Sequence, residues 1–369
     1  MHMIGIYGAG KNGKELAPIL KTSGLLRCFI DGDVNKNNTS IDGVAVLGPD
    51  QFVEKYPNDK IVIASSAYEK EIEGELLKRG KKNDEDYWLY NRFKGKILHE
   101  MLYKEFGKIY VELAQICVTE RCTLKCKKCA HACNLVPMNQ KDMSLADIKV
   151  SADNFFDKVD VVGEFVLIGG EPMLNDNLAE AIDYIGGKYR DKILTFAVTT
   201  NGTIVPNDKL RESIKRNKVT VRVSDYSETL PNLSGRYKEL YASLEGLDVA
   251  IWETNSKDAW FDYGFGEVDN GNDANVLKGI FRECNTPCRE IQGNKYYYCV
   301  MARSISENMF KIKTPNYDYL QLSADTSKEE FLEFEVNGPK KGYLDMCRYC
   351  RGGSAEKYRI PAAEQEKNR

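Results

Sequence analysis

The chain has 369 residues, long enough for two or three domains, and its 42% apolar and 29% charged composition is ordinary for a water-soluble globular protein. A net charge of −3 gives no electrostatic case for binding nucleic acid or an anionic membrane. No stretch approaches about eighteen uninterrupted apolar residues, so no membrane-spanning helix is expected. The eleven cysteines are odd in number and mostly sit at metal-ligand spacing, which points to a reducing cytoplasm rather than a disulfide scaffold. The N-terminal stretch lacks the basic and long apolar segments of a signal peptide, and His2, His99 and His131 are too few for a His-based metal centre.

Residues 3–7 read as a short buried strand, followed by a turn carrying Gly8, Gly10 and Gly13, a helix over 14–22, and a second strand over 25–30 that ends at Asp31. This is the order of a dinucleotide-type βαβ unit. Glycines allow the turn and close backbone approach, helix amides face a phosphate, and an acidic residue stands near a ribose hydroxyl. A helix over 49–56, a strand over 60–64 and a helix over 69–79 complete a Rossmann-like domain over residues 1–90, with a nucleotide expected at Gly8, Gly10, Gly13 and Asp31. At Tyr7-Gly-Ala-Gly-Lys and Ile41-Asp-Gly-Val-Ala-Val-Leu-Gly-Pro49 this domain resembles the nucleotide-binding-like domains fused ahead of sugar acyltransferases and other surface-polysaccharide enzymes. A domain that has lost its nucleotide and serves in docking or dimerisation fits the same residues. The polar, helix-compatible residues 91–108 read as a linker.

From Tyr110 onward strand and helix patterns alternate, the mark of a parallel α/β core. A strand over 110–118 leads into a cysteine loop, and Ser144 caps a helix reaching Phe156, with Asp147 as its capping acid. A strand over 165–168 ends in Gly169-Gly170-Glu171, one over 193–199 in Thr200-Asn201-Gly202, and one over 219–223 in Ser224-Asp225. Helices over 177–185, 207–216 and 237–244 intervene, and a further strand is expected over 248–252. Groups that carry chemistry gather at the C-terminal strand ends of such sheets, and here the thiols, glycines and polar residues all fall there.

Cys122, Cys126 and Cys129 form a C-x3-C-x2-C run. Three thiolates hold three irons of a [4Fe–4S] cube and leave the fourth open, since such clusters otherwise take four cysteines. Half of a structural zinc site is the alternative, with Cys126 and Cys129 paired to another C-x2-C. The run resembles the signature of the radical S-adenosylmethionine (radical SAM) superfamily. That resemblance covers about residues 109–255 and implies a partial (β/α)6 barrel core over 109–265. It further implies that SAM chelates the open iron, with Gly169, Gly170 and Glu171 at its methionyl ammonium, Ser224 and Asp225 at its ribose or carboxylate, and Asn201 in support. The family usually has an aromatic residue just before its third cysteine, and this chain has Lys128 there. Cys117 is read as a small buried hydrophobe; Cys133 is left unassigned, a thiol near the reaction centre being one alternative.

Beyond a Gly-, Asp- and Asn-rich loop, Cys288 and Cys299 flank a hairpin, and Cys347 and Cys350 form a C-x2-C. Residues 280–353 resemble the auxiliary-cluster domain called Twitch, a shortened SPASM domain. The resemblance implies a small C-terminal auxiliary iron–sulfur domain over 266–355, with a second [4Fe–4S] cluster on Cys288, Cys299, Cys347 and Cys350; Cys284 is the spare, and since it too precedes the hairpin it is the alternative to Cys288. A structural zinc on the same thiols is the alternative. The charged tail, 356–369, reads as frayed.

The resemblance implies reductive cleavage of SAM to a 5′-deoxyadenosyl radical that abstracts hydrogen from substrate, with a flavodoxin or ferredoxin as reductant. A fully ligated second cluster suits removal of an electron, so a dehydrogenase is expected, acting on a small-molecule, sugar-like or aminocyclitol alcohol. Epimerisation, with Cys133 returning a hydrogen, and peptide modification are alternatives within the class. An iron–sulfur or zinc scaffold with a nucleotide-binding module, and an NAD-dependent oxidoreductase driven by residues 1–90, are the alternatives outside it.

Overall fold

The computed structural model describes residues 2–247, 249, 251–255 (backbone only), 259–284 and 286–366. The chain divides into two units, Met1–Lys108 and Ile109–Arg369.

In the first unit β1 (Ile4–Tyr7), α1 (Lys11–Thr22), β2 (Leu26–Ile30), β3 (Ser40–Ile41), β4 (Val44–Leu47), α2 (Pro49–Lys55), β5 (Lys60–Ile63), α3 (Glu69–Lys78) and β6 (Tyr87–Leu89) follow in order. They form a six-stranded sheet, β3-β4-β2-β1-β5-β6. The central β1 is buried at every residue, as expected of a parallel strand. Helix α1 starts at Lys11, earlier than its apolar pattern indicates. Gly13 lies so close to the Gly8 carbonyl that a Cβ would sit 2.0 Å from its oxygen, and only glycine lets the helix start there. A hairpin the periodicity did not announce, β3–β4, turns at Asp42 and Gly43, both at positive φ (51° and 75°).

Residues 91–108, expected as a linker, belong to this unit. They continue from α4 (Tyr90–Arg92) through a π-helical turn, Phe93–Ile97, into α5 (Leu98–Phe106). The π turn inserts a residue into the helical repeat. Phe93, Leu98 and Leu102 are all fully buried, which explains why the stripe was not recognised at ordinary spacing. Gly107 ends α5 in the left-handed region, φ 61°.

In the second unit β7 (Tyr110–Thr119), α6 (Leu145–Lys158), β8 (Val161–Gly169), α7 (Leu178–Tyr189), β9 (Ile193–Thr200), α8 (Asp208–Asn217), β10 (Thr220–Asp225), α9 (Ser234–Leu244) and β11 (Ile251–Asn255) alternate as expected of a parallel α/β core. Ser144 caps α6 by accepting the Asp147 N–H at 3.2 Å, and Asn207 caps α8 by accepting that of Leu210 at 2.9 Å. The expected start of the last strand, Asp248, lies outside the described residues; the strand observed pairs Ile251–Asn255 with Val221–Asp225.

The rest of the unit comprises β12 (Trp260–Phe261), α10 (Ala274–Arg282), β13 (Cys288–Gln292), β14 (Lys295–Tyr297), α11 (Val300–Ser304), β15 (Tyr319–Gln321), α12 (Lys328–Asn337) and β16 (Arg359–Ile360). The main sheet has eight strands in the order β11-β10-β9-β8-β7-β13-β14-β15. The cysteine-bearing hairpin β13–β14 is therefore joined to the core, with Cys288–Glu290 parallel to Leu113–Gln115. The Phe155 ring packs 5.7 Å from that of Phe165 and 5.8 Å from that of Tyr296 across this junction, and burying each ring contributes about 1.5–3 kcal/mol.

The tail expected to be frayed is ordered through Glu366. β16 pairs with β12, and Ala362 and Ala363 are buried. Small residues close to the backbone allow this burial, and composition alone does not reveal it.

Candidate functional site

β7 delivers the chain to the cysteine loop. The loop's entry is clamped by Arg121, which grips Asp142 with two nitrogens (2.8 and 2.5 Å) and donates to the Leu174 carbonyl at 2.6 Å. Lys128 and Ala132 hold φ of 56° and 49°, a left-handed conformation costly for residues with a Cβ. These bends turn Cys122, Cys126 and Cys129 into one cavity of about 430 Å3, whose wall also includes Gly169, Gly170, Asn201 and Ser224. Strand ends distant in sequence thus converge on the thiols.

Each sulfur accepts hydrogen bonds. Cys122 receives the Leu124 N–H at 3.4 Å and the Asn201 amide at 3.5 Å, and Cys126 the Gln365 amide at 3.2 Å. The Cys133 thiol, with the backbone N–H groups of His131, Ala132 and Cys133, draws the Cys129 pKa down to about 7, whereas burial pushes Cys122 up to about 11 and Cys126 up to about 12. Donors aimed at sulfur suit thiolates, the form that ligates iron. The buried His131 Nδ1, in the same wall, has no hydrogen-bond partner among the described residues. Among the described residues no three His, Cys, Asp or Glu side chains are drawn together around a single ion. A three-thiol wall around a cavity fits a multi-iron cluster better than one tetrahedral zinc.

The two glycines serve the loop first. A Cβ on Gly169 would lie 2.1 Å from the Thr119 oxygen, and one on Gly170 2.2 Å from that of Arg121. Gly170 and Glu171 donate their N–H groups to those same two oxygens at 2.9 Å. The Glu171 side chain does not line the cavity. Fully buried, its carboxylate accepts from the Thr200 hydroxyl at 2.9 Å, the Asn201 N–H at 2.8 Å and the Met173 N–H at 3.1 Å. Burial nevertheless pushes its pKa up to about 7. Asp225 is also turned elsewhere, accepting from Ser227 N–H and the Tyr241 hydroxyl.

Lys128, at the family's aromatic position, pairs with Glu267 (2.5 Å) and Asp262 (3.4 Å). The aromatic wall comes instead from Tyr226, Trp260, Phe261 and Tyr263, with Tyr226 and Trp260 edge-to-face at 5.8 Å. The sequence reading missed these residues. Tyr226 directly follows Ser224-Asp225, which was a usable signal; Trp260 carried none. Cys133 is buried in the cavity wall, and Cys117 is buried.

The second cysteine set departs from expectation. Cys284, Cys299, Cys347 and Cys350 line a small apolar cavity with Phe265, Phe281 and Met346, and Cys288 does not. As the first residue of β13, Cys288 is fixed by the pairing of that strand with β7 at the edge of the same core. Cys284, two residues beyond α10, lies outside that ladder and lines the small cavity with Cys299, Cys347 and Cys350. Asn270 donates to the Cys347 and Cys350 carbonyls (3.1 and 2.9 Å), and the Gly352 N–H to the Cys350 sulfur (3.3 Å).

In the first unit, Gly8, Gly10 and Asp31 line a cavity. Asp31 is already engaged, accepting from Asp33 N–H at 3.0 Å and from Lys36 at 3.0 Å. Asp33, Glu71 and Glu75 share this wall with Lys36, a charge balance that opposes a pyrophosphate.

Parallel strands thus carry, at their C-terminal ends, a three-cysteine cavity beside a glycine bend in an α/β unit. Residues 116–249 match the model of the Radical SAM superfamily, a domain whose members take a [4Fe–4S] cluster and SAM. Residues 1–85 match the family described as C2185-like, N-terminal. No curated protein matches the chain. Among solved structures, native anSMEcpe with bound AdoMet is 13% identical over 64% of this chain and 84% of that one, with a TM-score of 0.40. BtrN in complex with AdoMet and 2-DOIA is 14% identical over 69% and 100%, with a TM-score of 0.40. Streptococcus suis SuiB bound to precursor peptide SuiA is 19% identical over 51% and 45%, with a TM-score of 0.31. No helix among the described residues is long and apolar enough to cross a membrane.

Proposed function

We propose that the chain is a radical SAM oxidoreductase, a dehydrogenase of a small, sugar-like or aminocyclitol alcohol, with a second iron–sulfur cluster. The observation that supports it is the pairing of two thiol-lined cavities in one unit, one with three cysteines and a polar ligand wall, the other with four cysteines and an apolar wall. In this reading Cys122, Cys126 and Cys129 hold the first cluster. When bound, that cluster would supply the electron for reductive cleavage of SAM, the chemistry by which this class removes hydrogen from substrate.

The chain's own residues supply position and exclusion of water. The backbone at Gly169–Gly170 and the Ser224 side chain would face the SAM methionyl and ribose groups, while Asn201 supports the loop through its amide's hydrogen bond to the Cys122 sulfur. Tyr226 and Trp260 form the apolar wall for adenine, replacing the aromatic residue that Lys128 displaces. Glu171 acts from behind, locking the glycine bend to the end of β9. Cys284, Cys299, Cys347 and Cys350 hold the second, fully ligated cluster, suited to taking one electron from a substrate radical. A flavodoxin or ferredoxin supplies the first electron.

Anaerobic reconstitution tests the proposal. About eight irons per chain are expected, with 5′-deoxyadenosine formed from SAM and dithionite. Replacing Cys122, Cys126 and Cys129 together by Ala abolishes that product and halves the iron. Zinc in both thiol sets, or no 5′-deoxyadenosine from a fully loaded protein, overturns the reading. Oxidised product without isotope exchange at the substrate carbon separates dehydrogenation from epimerisation.

A further inference from the structure

The C-terminal segment crosses the cysteine loop and is bonded to it at successive positions. The Glu364 carbonyl accepts the Lys127 N–H at 2.7 Å, and Glu366 N–H donates to the Lys125 carbonyl at 2.8 Å. Between them the Gln365 side chain uses both ends of its amide. Its Oε1 accepts the Lys125 N–H at 2.7 Å, while its Nε2 donates to the Cys126 sulfur at 3.2 Å and to the Ala363 carbonyl at 2.7 Å. The Lys125 N–H fixes which end of the amide carries oxygen, so an N–H must face Cys126.

The segment is seated by more than this residue. β16 pairs with β12, the strand that carries Trp260 and Phe261 into the cavity wall. Ala362 and Ala363 are buried in a cluster with Cys122, Cys126, Cys133 and Tyr226, and Ala363 takes a left-handed φ of 57° to turn toward the loop. Glu364 pairs with Lys127 at 2.5 Å, and Asn134 donates to Glu366 at 2.8 Å.

We propose that residues 359–366 are a strap over the cysteine loop, and that Gln365 is a positioning residue that raises the reduction potential of the cluster held by Cys122, Cys126 and Cys129. This rests on the radical SAM reading above. Reduction adds negative charge that is shared by the ligating sulfurs. An N–H pointed at one of them stabilises the reduced form more than the oxidised form, and burial under the strap keeps water from taking its place. The electron that starts the reaction is then easier to load.

The test uses the full-length, reconstituted protein and two variants. Q365E retains an oxygen to accept the Lys125 N–H and removes the donor to Cys126; Q365M removes both. The cluster midpoint is followed by EPR-monitored redox titration with and without SAM, and backbone hydrogen exchange is read at Lys125, Lys127 and Glu366. Q365E is expected to shift the midpoint of the SAM-responsive cluster to more negative potential while exchange stays slow. Q365M is expected to shift it in the same direction and to speed exchange at Lys125 about tenfold. The second cluster's midpoint stays unchanged in both. An unmoved midpoint in Q365M, which removes the donor without adding the charge that Q365E brings, overturns the role of Gln365 when the SAM response is normal, and leaves the family reading intact. Fast exchange at all three amides in the unmodified protein overturns the strap. A protein that assembles no SAM-responsive cluster overturns the function proposed above as well.

Discussion

The Glu171 carboxylate accepts the backbone N–H of Asn201 at 2.8 Å, tying the bend after β8 to the end of β9. Because burial raises the pKa of Glu171 from 4.5 to about 7, the folded state binds a proton that the unfolded state has released across that interval. Stability from this group is therefore full below about pH 4.5 and is lost as pH rises through 7. E171Q should flatten that part of the stability–pH curve. It also places an NH2 among three donors, so it should lower stability by about 1–3 kcal/mol at pH 5. Denaturant unfolding from pH 4.5 to 8 checks both.

Two glycines should respond in opposite senses. G170A drives a Cβ to 2.2 Å from the Arg121 oxygen and 2.7 Å from Cβ of Cys122, and should cost about 1–3 kcal/mol or more while lowering iron retained by the first site. Gly187 lies in α7 with nothing within 4 Å of its would-be Cβ, so G187A should add about 0.5–1 kcal/mol. Thermal melts of the two variants side by side provide the comparison.

Iron counting separates Cys284 from Cys288. C284A should lose about four irons after reconstitution and keep 5′-deoxyadenosine production without net substrate oxidation. C288A should retain the full complement. The reverse result would restore the ligand set expected from spacing.

A buried ion pair offers a fourth measurement. Arg303 and Glu290 are each 1% exposed and bonded to one another, and Arg303 also reaches Glu120 at 2.5 Å. R303M leaves the buried Glu290 carboxyl without its partner, and should destabilise by about 3–5 kcal/mol. The double variant R303M/E290L should recover much of that loss, as read by urea unfolding.

Much of this protein was determined by residues close together in the chain. Strand–helix alternation, the caps at Ser144 and Asn207, the C-x3-C-x2-C run and the glycine bend all rest on local spacing, because backbone geometry and cluster ligation act over a few residues. Tertiary structure decided the rest. It turned Glu171 away from the cavity, brought Cys284 to the small cavity lined by Cys299, Cys347 and Cys350, and supplied an aromatic wall from Trp260. It also laid Gln365 on Cys126 across a separation of 239 residues. Those outcomes depend on which strand pairs with which and on what burial leaves free to point inward. Neither is written in the periodicity of a single segment, since the partners come from opposite ends of the unit.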